Sequence, residues 1–140
     1  MSRIVAIDYG EKRTGIATTD PLQLIASPLT TVNTNELFDF LDQYLRTEKV
    51  ETIVIGVPNA LNSQTNPILK KIESFTQKLQ QKFPKLTLKH VDERFTSKMA
   101  SQAILKSGVK KIKRQDKSLV DKVSAAIILQ SYLDSISFFK

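Results

Sequence analysis

Ile4, Val5, Ala6 and Ile7 form an unbroken apolar run that stops abruptly at Asp8. A short run of this kind suits a strand buried on both faces in the middle of a sheet. No other stretch constrains the fold as tightly. A turn carrying Gly10 and Gly15 follows, and residues 15–19 form a second β-prone segment. Open α/β sheets bind ligands just outside the carboxyl ends of their strands, so a carboxylate at that position is placed to hold a metal ion or a ligand. The plainer role for a strand-ending Asp is to start a turn.

The chain then alternates between the two periodicities. A connection over 20–28, bracketed by Pro21 and Pro28, leads to a third strand at 29–32, and the short links favour antiparallel neighbours. Asn33 or Asn35 caps a helix running to about residue 49, with Leu37, Phe38, Phe40, Leu41, Tyr44 and Leu45 at helical spacing. Residues 52–56 read as another buried strand, which Val57-Pro58 breaks into a loop. Pro67 opens a second helix. Its inner face is Ile68, Leu69, Ile72, Phe75, Thr76 and Leu79, and Pro84 marks the exit before a last strand at 86–92. Thr96 caps a short helix ending near Ser107, with Gly108 as its terminator, and Ser118 caps a closing helix to about residue 137. Strands alternating with helices after an antiparallel start predict a mixed α/β sheet covered by helices.

At 140 residues, the expectation is a single domain over 1–140, able to bury a core without staples. The absence of cysteine excludes disulfides, thiolate zinc sites and a thiol nucleophile, and the single histidine, His90, excludes a multi-histidine metal centre. No stretch matches a membrane span or a signal peptide, so the expected compartment is the cytoplasm and no membrane partner is expected. The net charge is +7, and between Lys106 and Lys117 six basic residues (Lys106, Lys110, Lys111, Lys113, Arg114, Lys117) stand against one acid, Asp116. Concentrated positive charge points to a polyanion, nucleic acid first; a solvated loop that aids solubility is the alternative. Residues 108–117 offer only Val109 and Ile112 for burial, and are expected to gain order on a phosphate backbone.

Parallel strands ending at Asp8, Gly56 and residues 90–92 would share one edge, bringing together Asp8, the loop after Pro58 and the acids Asp92 and Glu93. Asp92 and Glu93 point to opposite faces of an extended strand, so one of them reaches that edge. On the closing helix, Asp121 aligns with Ala125, Ile128, Tyr132 and Phe139, the stripe expected to face the sheet, beside small Ser124, Ala125 and Ala126. A carboxylate on such a face needs a partner or a metal; a capping box from Ser118 to Asp121 is the rival explanation. Acids crowded together repel unless cations neutralise them. Oxygen-only ligand sets suit Mg²⁺ or Mn²⁺, and two such ions about 3.5–4 Å apart serve phosphodiester hydrolysis without a Cys, Ser or His nucleophile.

The blocks Asp8-Tyr-Gly10-Glu-Lys12-Arg13-Thr-Gly15, Gly56-Val-Pro58, Asp92-Glu93-Arg94-Phe-Thr96-Ser97 and Val120-Asp121 through Ala125-Ala126 to Leu133 together resemble the signature of the YqgF (RuvX) family. The resemblance covers essentially the whole chain. It implies an RNase H-like fold with a five-stranded mixed sheet, its first strand near the centre. It also implies a metal-dependent nuclease with Asp8, Glu93 and Asp121 as catalytic and metal-binding acids. The implied substrate is precursor 16S rRNA, trimmed at its 5′ end, with Holliday-junction DNA as the alternative and ribosomal particles as candidate partners. Substrate contacts are expected from Lys12, Arg13, Arg94, Lys110, Lys111, Lys113 and Arg114. Lys12 and Arg13 could equally be a solvated hairpin tip, and Arg94 could brace Glu93. His90 is expected to have a structural or surface role rather than a catalytic one, and the assembly to be a monomer or weak homodimer.

Two other classes compete with a nuclease. A nucleic-acid binder with little hydrolytic activity would keep the fold, but gains nothing from acids that repel phosphate. An ATP-binding protein of the actin–sugar kinase type also begins with a strand-end Asp and glycine, yet needs two such domains.

Overall fold

The first strand lies at the centre of the sheet. The computed structural model describes residues 2–57, 67–92 and 117–138. Its strands are β1 (Arg3–Asp8), β2 (Arg13–Thr19), β3 (Ala26–Asn33), β4 (Val50–Val57) and β5 (Thr87–Asp92). The described helices are α1 (Leu37–Thr47), α2 (Pro67–Lys82) and α3 (Lys117–Phe138). The five strands stand in the order β3-β2-β1-β4-β5. β1, β2 and β3 pair antiparallel, whereas β4 and β5 run parallel to β1, so the sheet is mixed as expected.

Alternation along the strands divides the core into two layers. Val5, Ile7, Ile16, Ile53 and Ile55 meet Leu37 and Leu41 of α1 and Ile72 and Leu79 of α2. On the other face Ile4, Ala6, Ala17 and Val54 meet Ala125, Ile128, Leu129 and Leu133 of α3. Large side chains line the first face and small ones much of the second, so α3 settles close to the sheet, where it crosses β2, β3 and β1. Each large side chain fully buried in these layers contributes about 1.5–3 kcal/mol.

Several boundaries differ from expectation. β3 begins at Ala26 and includes Pro28, which the sheet tolerates because β3 is an edge strand. Ile16 pairs with Thr30 and Ala17 with Pro28, so Leu29 is an extra residue in the edge, and such a bulge discourages edge-to-edge pairing. Neither Asn33 nor Asn35 caps α1: a 3-10 turn over Thr34–Glu36 precedes it, and Asn33 makes no side-chain cap bond. α1 stops at Thr47, because Glu48 is already extended and leads into β4. α3 begins at Lys117, which puts Ser118 inside the first turn rather than at its cap. The short helix expected after Thr96 lies outside the described residues. Among the described residues, no helix is long and apolar enough to cross a membrane.

Candidate active site

Asp8 ends β1 with the parity of Ile4 and Ala6, so its position is on the α3 face of the sheet. Its partners in register are Gly15 on β2 and Gly56 on β4. Both neighbouring strands therefore lack a side chain at the level of this carboxylate.

Gly15 has a second role. A Cβ built on it would stand 1.9 Å from the carbonyl oxygen of Asp121 and 2.8 Å from the Lys122 nitrogen. The backbone of α3 thus rests directly on this glycine, and only hydrogen fits between them. Gly15 is the shared neighbour of both acids, in register with Asp8 and beneath the backbone of Asp121.

The Asp121 carboxylate reaches across to β2. Arg13 Nε donates to its Oδ2 at 2.8 Å, with the side chains 39% and 22% exposed respectively. That partial shielding makes the bond stronger than a surface pair. One turn along, the Ser124 hydroxyl is buried and has no hydrogen-bond partner among the described residues. Arg13 is therefore not a free hairpin-tip cation: it opens β2 and pairs with Asp121.

The β1–β2 hairpin is held from the 3-10 turn. Thr34 donates its backbone N–H to Lys12 O at 2.9 Å and its hydroxyl to Gly10 O at 2.6 Å. That assignment leaves the Thr14 hydroxyl, 2.9 Å away, to donate to Thr34 Oγ1. A Cβ on Gly10 would fall 2.1 Å from Arg13 O, so the turn closes too tightly for a larger residue. Lys12 is left exposed beside this clamp.

Glu93, Arg94, Lys110, Lys111, Lys113 and Arg114 lie outside the described residues, as does the rest of the basic segment up to Lys117, which opens α3. Asp92 ends β5 in register with Val57, and His90 is exposed. Among the described residues no group of three metal-ligating side chains is present. The structure brings Asp8 and Asp121 to one face and one end of the sheet. The contacts missing from the sequence reading are the Arg13–Asp121 pair, the Thr34 clamp and the seat of α3 on Gly15. A glycine in a β-prone segment was the one available signal, since such a residue often marks a close backbone approach.

A five-stranded mixed sheet with β1 central, helices on both faces and acids at the end of β1 and on α3 defines an RNase H-like domain. The chain belongs to the RuvX family, described as Holliday junction resolvase, whose model matches residues 2–135. A relative from Bacteroides thetaiotaomicron is 54% identical over 138 residues, covering 99% of this chain and 100% of its own. One from Porphyromonas gingivalis is 54% identical over 135 residues (96% and 98%), and one from Flavobacterium johnsoniae is 51% identical over 138 (99% and 100%). All three are named as candidate pre-16S rRNA nucleases. Among solved structures, the Fowlpox virus resolvase bound to substrate Holliday junction DNA aligns with a TM-score of 0.56 and 14% identity, over 96% of this chain and 98% of that one. That likeness is one of fold alone.

Proposed function

We propose that this chain is a metal-dependent nuclease that hydrolyses phosphodiester bonds in the 5′-end processing of precursor 16S rRNA, acting in the cytoplasm. The placement of Asp8 and Asp121 on either side of Gly15 carries the reading. The names of relatives that match over nearly the whole chain supply the substrate.

The donor chemistry fits a hard divalent cation. Asp8 and Asp121 offer only carboxylate oxygens, and the Asp121 carboxylate already draws a cationic partner in Arg13. Asp8, Asp121 and Glu93 are the residues that would hold Mg²⁺ or Mn²⁺. Glu93 is included because the block Asp92-Glu93-Arg94 matches the family's signature. When bound, such ions lower the pKa of a water and neutralise charge on the leaving oxygen.

The protein's own part is positioning. Gly15 seats the backbone of α3 against β2 and so sets where Asp121 stands relative to Asp8. The Thr34 clamp fixes the turn that carries Lys12 near that end of the sheet. Arg13 balances the charge of Asp121 and keeps a guanidinium, whose fork suits a phosphate, at that end of the sheet. Arg94 and the segment Lys110, Lys111, Lys113 and Arg114 add positive charge for the polyanion.

A second reading, cleavage of branched DNA, is favoured by the family's description. Incubating the protein with precursor 16S rRNA fragments and with four-way DNA junctions, with and without Mg²⁺ or Mn²⁺, separates the two. Metal-dependent shortening of the rRNA with intact junctions is the expected result. Resolution of junctions alone would transfer the activity to DNA, and cleavage of neither substrate would contradict the nuclease reading.

A further inference from the structure

Tyr9 follows Asp8 directly but belongs to the opposite face, where it packs against the α1/α2 core. Its ring lies 5.8 Å from that of Phe75, inclined at 45°, and Phe75 meets the edge of Phe38 at 6.5 Å. Around these rings α2 presents Lys70, Lys71, Ser74 and Lys78, which with Tyr9 and Phe75 line an open groove of about 380 Å³. Lys78 Nζ stands 4.3 Å from the Phe38 centroid, and Lys71 Nζ lies 3.2 Å from Glu11 Oε1. All three lysines are exposed.

We infer that this groove is a binding subsite for a single-stranded segment of nucleic acid, with one base stacked on Tyr9 and the backbone following Lys70, Lys71 and Lys78. The inference rests on the nuclease reading, because a strand lying at Asp8 meets Tyr9 as soon as it crosses to the other face of the sheet. An aromatic floor with cations along its rim is the chemistry that holds unpaired strands. A duplex offers no free base face to such a floor, since its bases are already stacked on one another. From Lys70 to Lys78 the helix advances about 12 Å, enough for a short run of extended nucleotides. Glu11 shares the groove mouth, but its pair with Lys71 is solvent-exposed on both sides, at 51% and 68%. Pairs of that kind are weak, so a phosphate displaces Glu11 from Lys71.

The test is fluorescence anisotropy with a labelled single-stranded RNA of about 10 nucleotides, in EDTA so that no cleavage occurs. A blunt duplex of the same length serves as comparison. Changing Lys70 and Lys78 together to Ser should lower the salt slope by about 1.4, from two lost phosphate contacts. Tyr9→Leu should weaken single-strand binding about tenfold, and Tyr9→Phe, which keeps the ring, should restore it. Glu11→Gln should tighten binding about threefold. Duplex binding should change little in any of these. Both lysines are exposed, so their replacement loses the Lys78–Phe38 contact and no buried side chain. If the parent binds the single strand and the lysine pair and Tyr9→Leu variants match it in affinity and salt slope, the groove is overturned while the nuclease reading stands. If the parent binds no nucleic acid, both are overturned.

Discussion

Gly15→Ala is the smallest change that tests how α3 is seated over the candidate site. The added methyl would lie 1.9 Å from Asp121 O, 2.3 Å from Asp121 C and 2.8 Å from Lys122 N. These are backbone atoms, so no rotamer change relieves the clash. β2 is paired on both edges and cannot bend away without breaking its ladders. The second turn of α3 must therefore withdraw by about 1.5 Å before the closest contact reaches the ordinary 3.4 Å. Overpacking of this kind costs roughly 1–3 kcal/mol, and an unyielding backbone places it at the upper end. For a domain of this size about 3 kcal/mol lowers the Tm by roughly 10 °C. The same displacement moves Asp121 relative to Asp8, and a misplacement of about 1 Å can reduce the rate about a hundredfold. Circular dichroism melting and initial cleavage rates below the variant's Tm measure the two effects separately. A Gly15→Ala protein that melts and cleaves like the parent would refute the close seat of α3.

Other outcomes follow from single contacts. Ser124→Ala removes a buried hydroxyl that lacks a described partner, and should raise stability by about 1 kcal/mol in denaturant unfolding; a clear loss would mean that the hydroxyl is bonded. Arg13→Gln should cost about 1 kcal/mol without metal and raise Mn²⁺ affinity measured by calorimetry, because Asp121 loses its competing cation; unchanged affinity would show that Arg13 does not compete. The backbone N–H of Ile25, followed by those of Leu24 and Leu22, holds the Asp20 carboxyl below its usual 3.8. A depressed folded pKa contributes stability above the unfolded value and loses it as pH falls through the folded one. Acid destabilisation as the pH falls below 3.8 should therefore flatten in Asp20→Asn, and an identical acid profile would remove Asp20 as the loop's anchor.

The parts legible in the sequence were those set by local pattern. The run Ile4–Ile7 announced a strand buried on both faces, and the short links to residues 15–19 and 29–32 announced antiparallel neighbours. The stripe through Asp121, Ala125 and Ile128 announced the inner face of α3. What stayed hidden depends on pairing over distance. Arg13 and Asp121 are 108 residues apart, and nothing near either residue names the other. Thr34 looked incidental beside two asparagines with better capping chemistry, yet the structure uses its hydroxyl to clamp the hairpin and starts the helix with a 3-10 turn. β3 starts earlier than its apolar residues suggested, because an edge strand needs no buried face along its whole length and accepts Pro28.

Asp8 is the residue on which the account turns, since Asn in its place keeps the shape and removes the charge that would hold a cation. The direct measurement is cleavage of a precursor 16S rRNA 5′ fragment by the parent and Asp8→Asn proteins, matched in circular dichroism, across Mg²⁺ and Mn²⁺ titrations. Metal-dependent cleavage by the parent and none by the variant at any metal concentration is the expected result. A folded Asp8→Asn protein that cleaves as fast as the parent would contradict it.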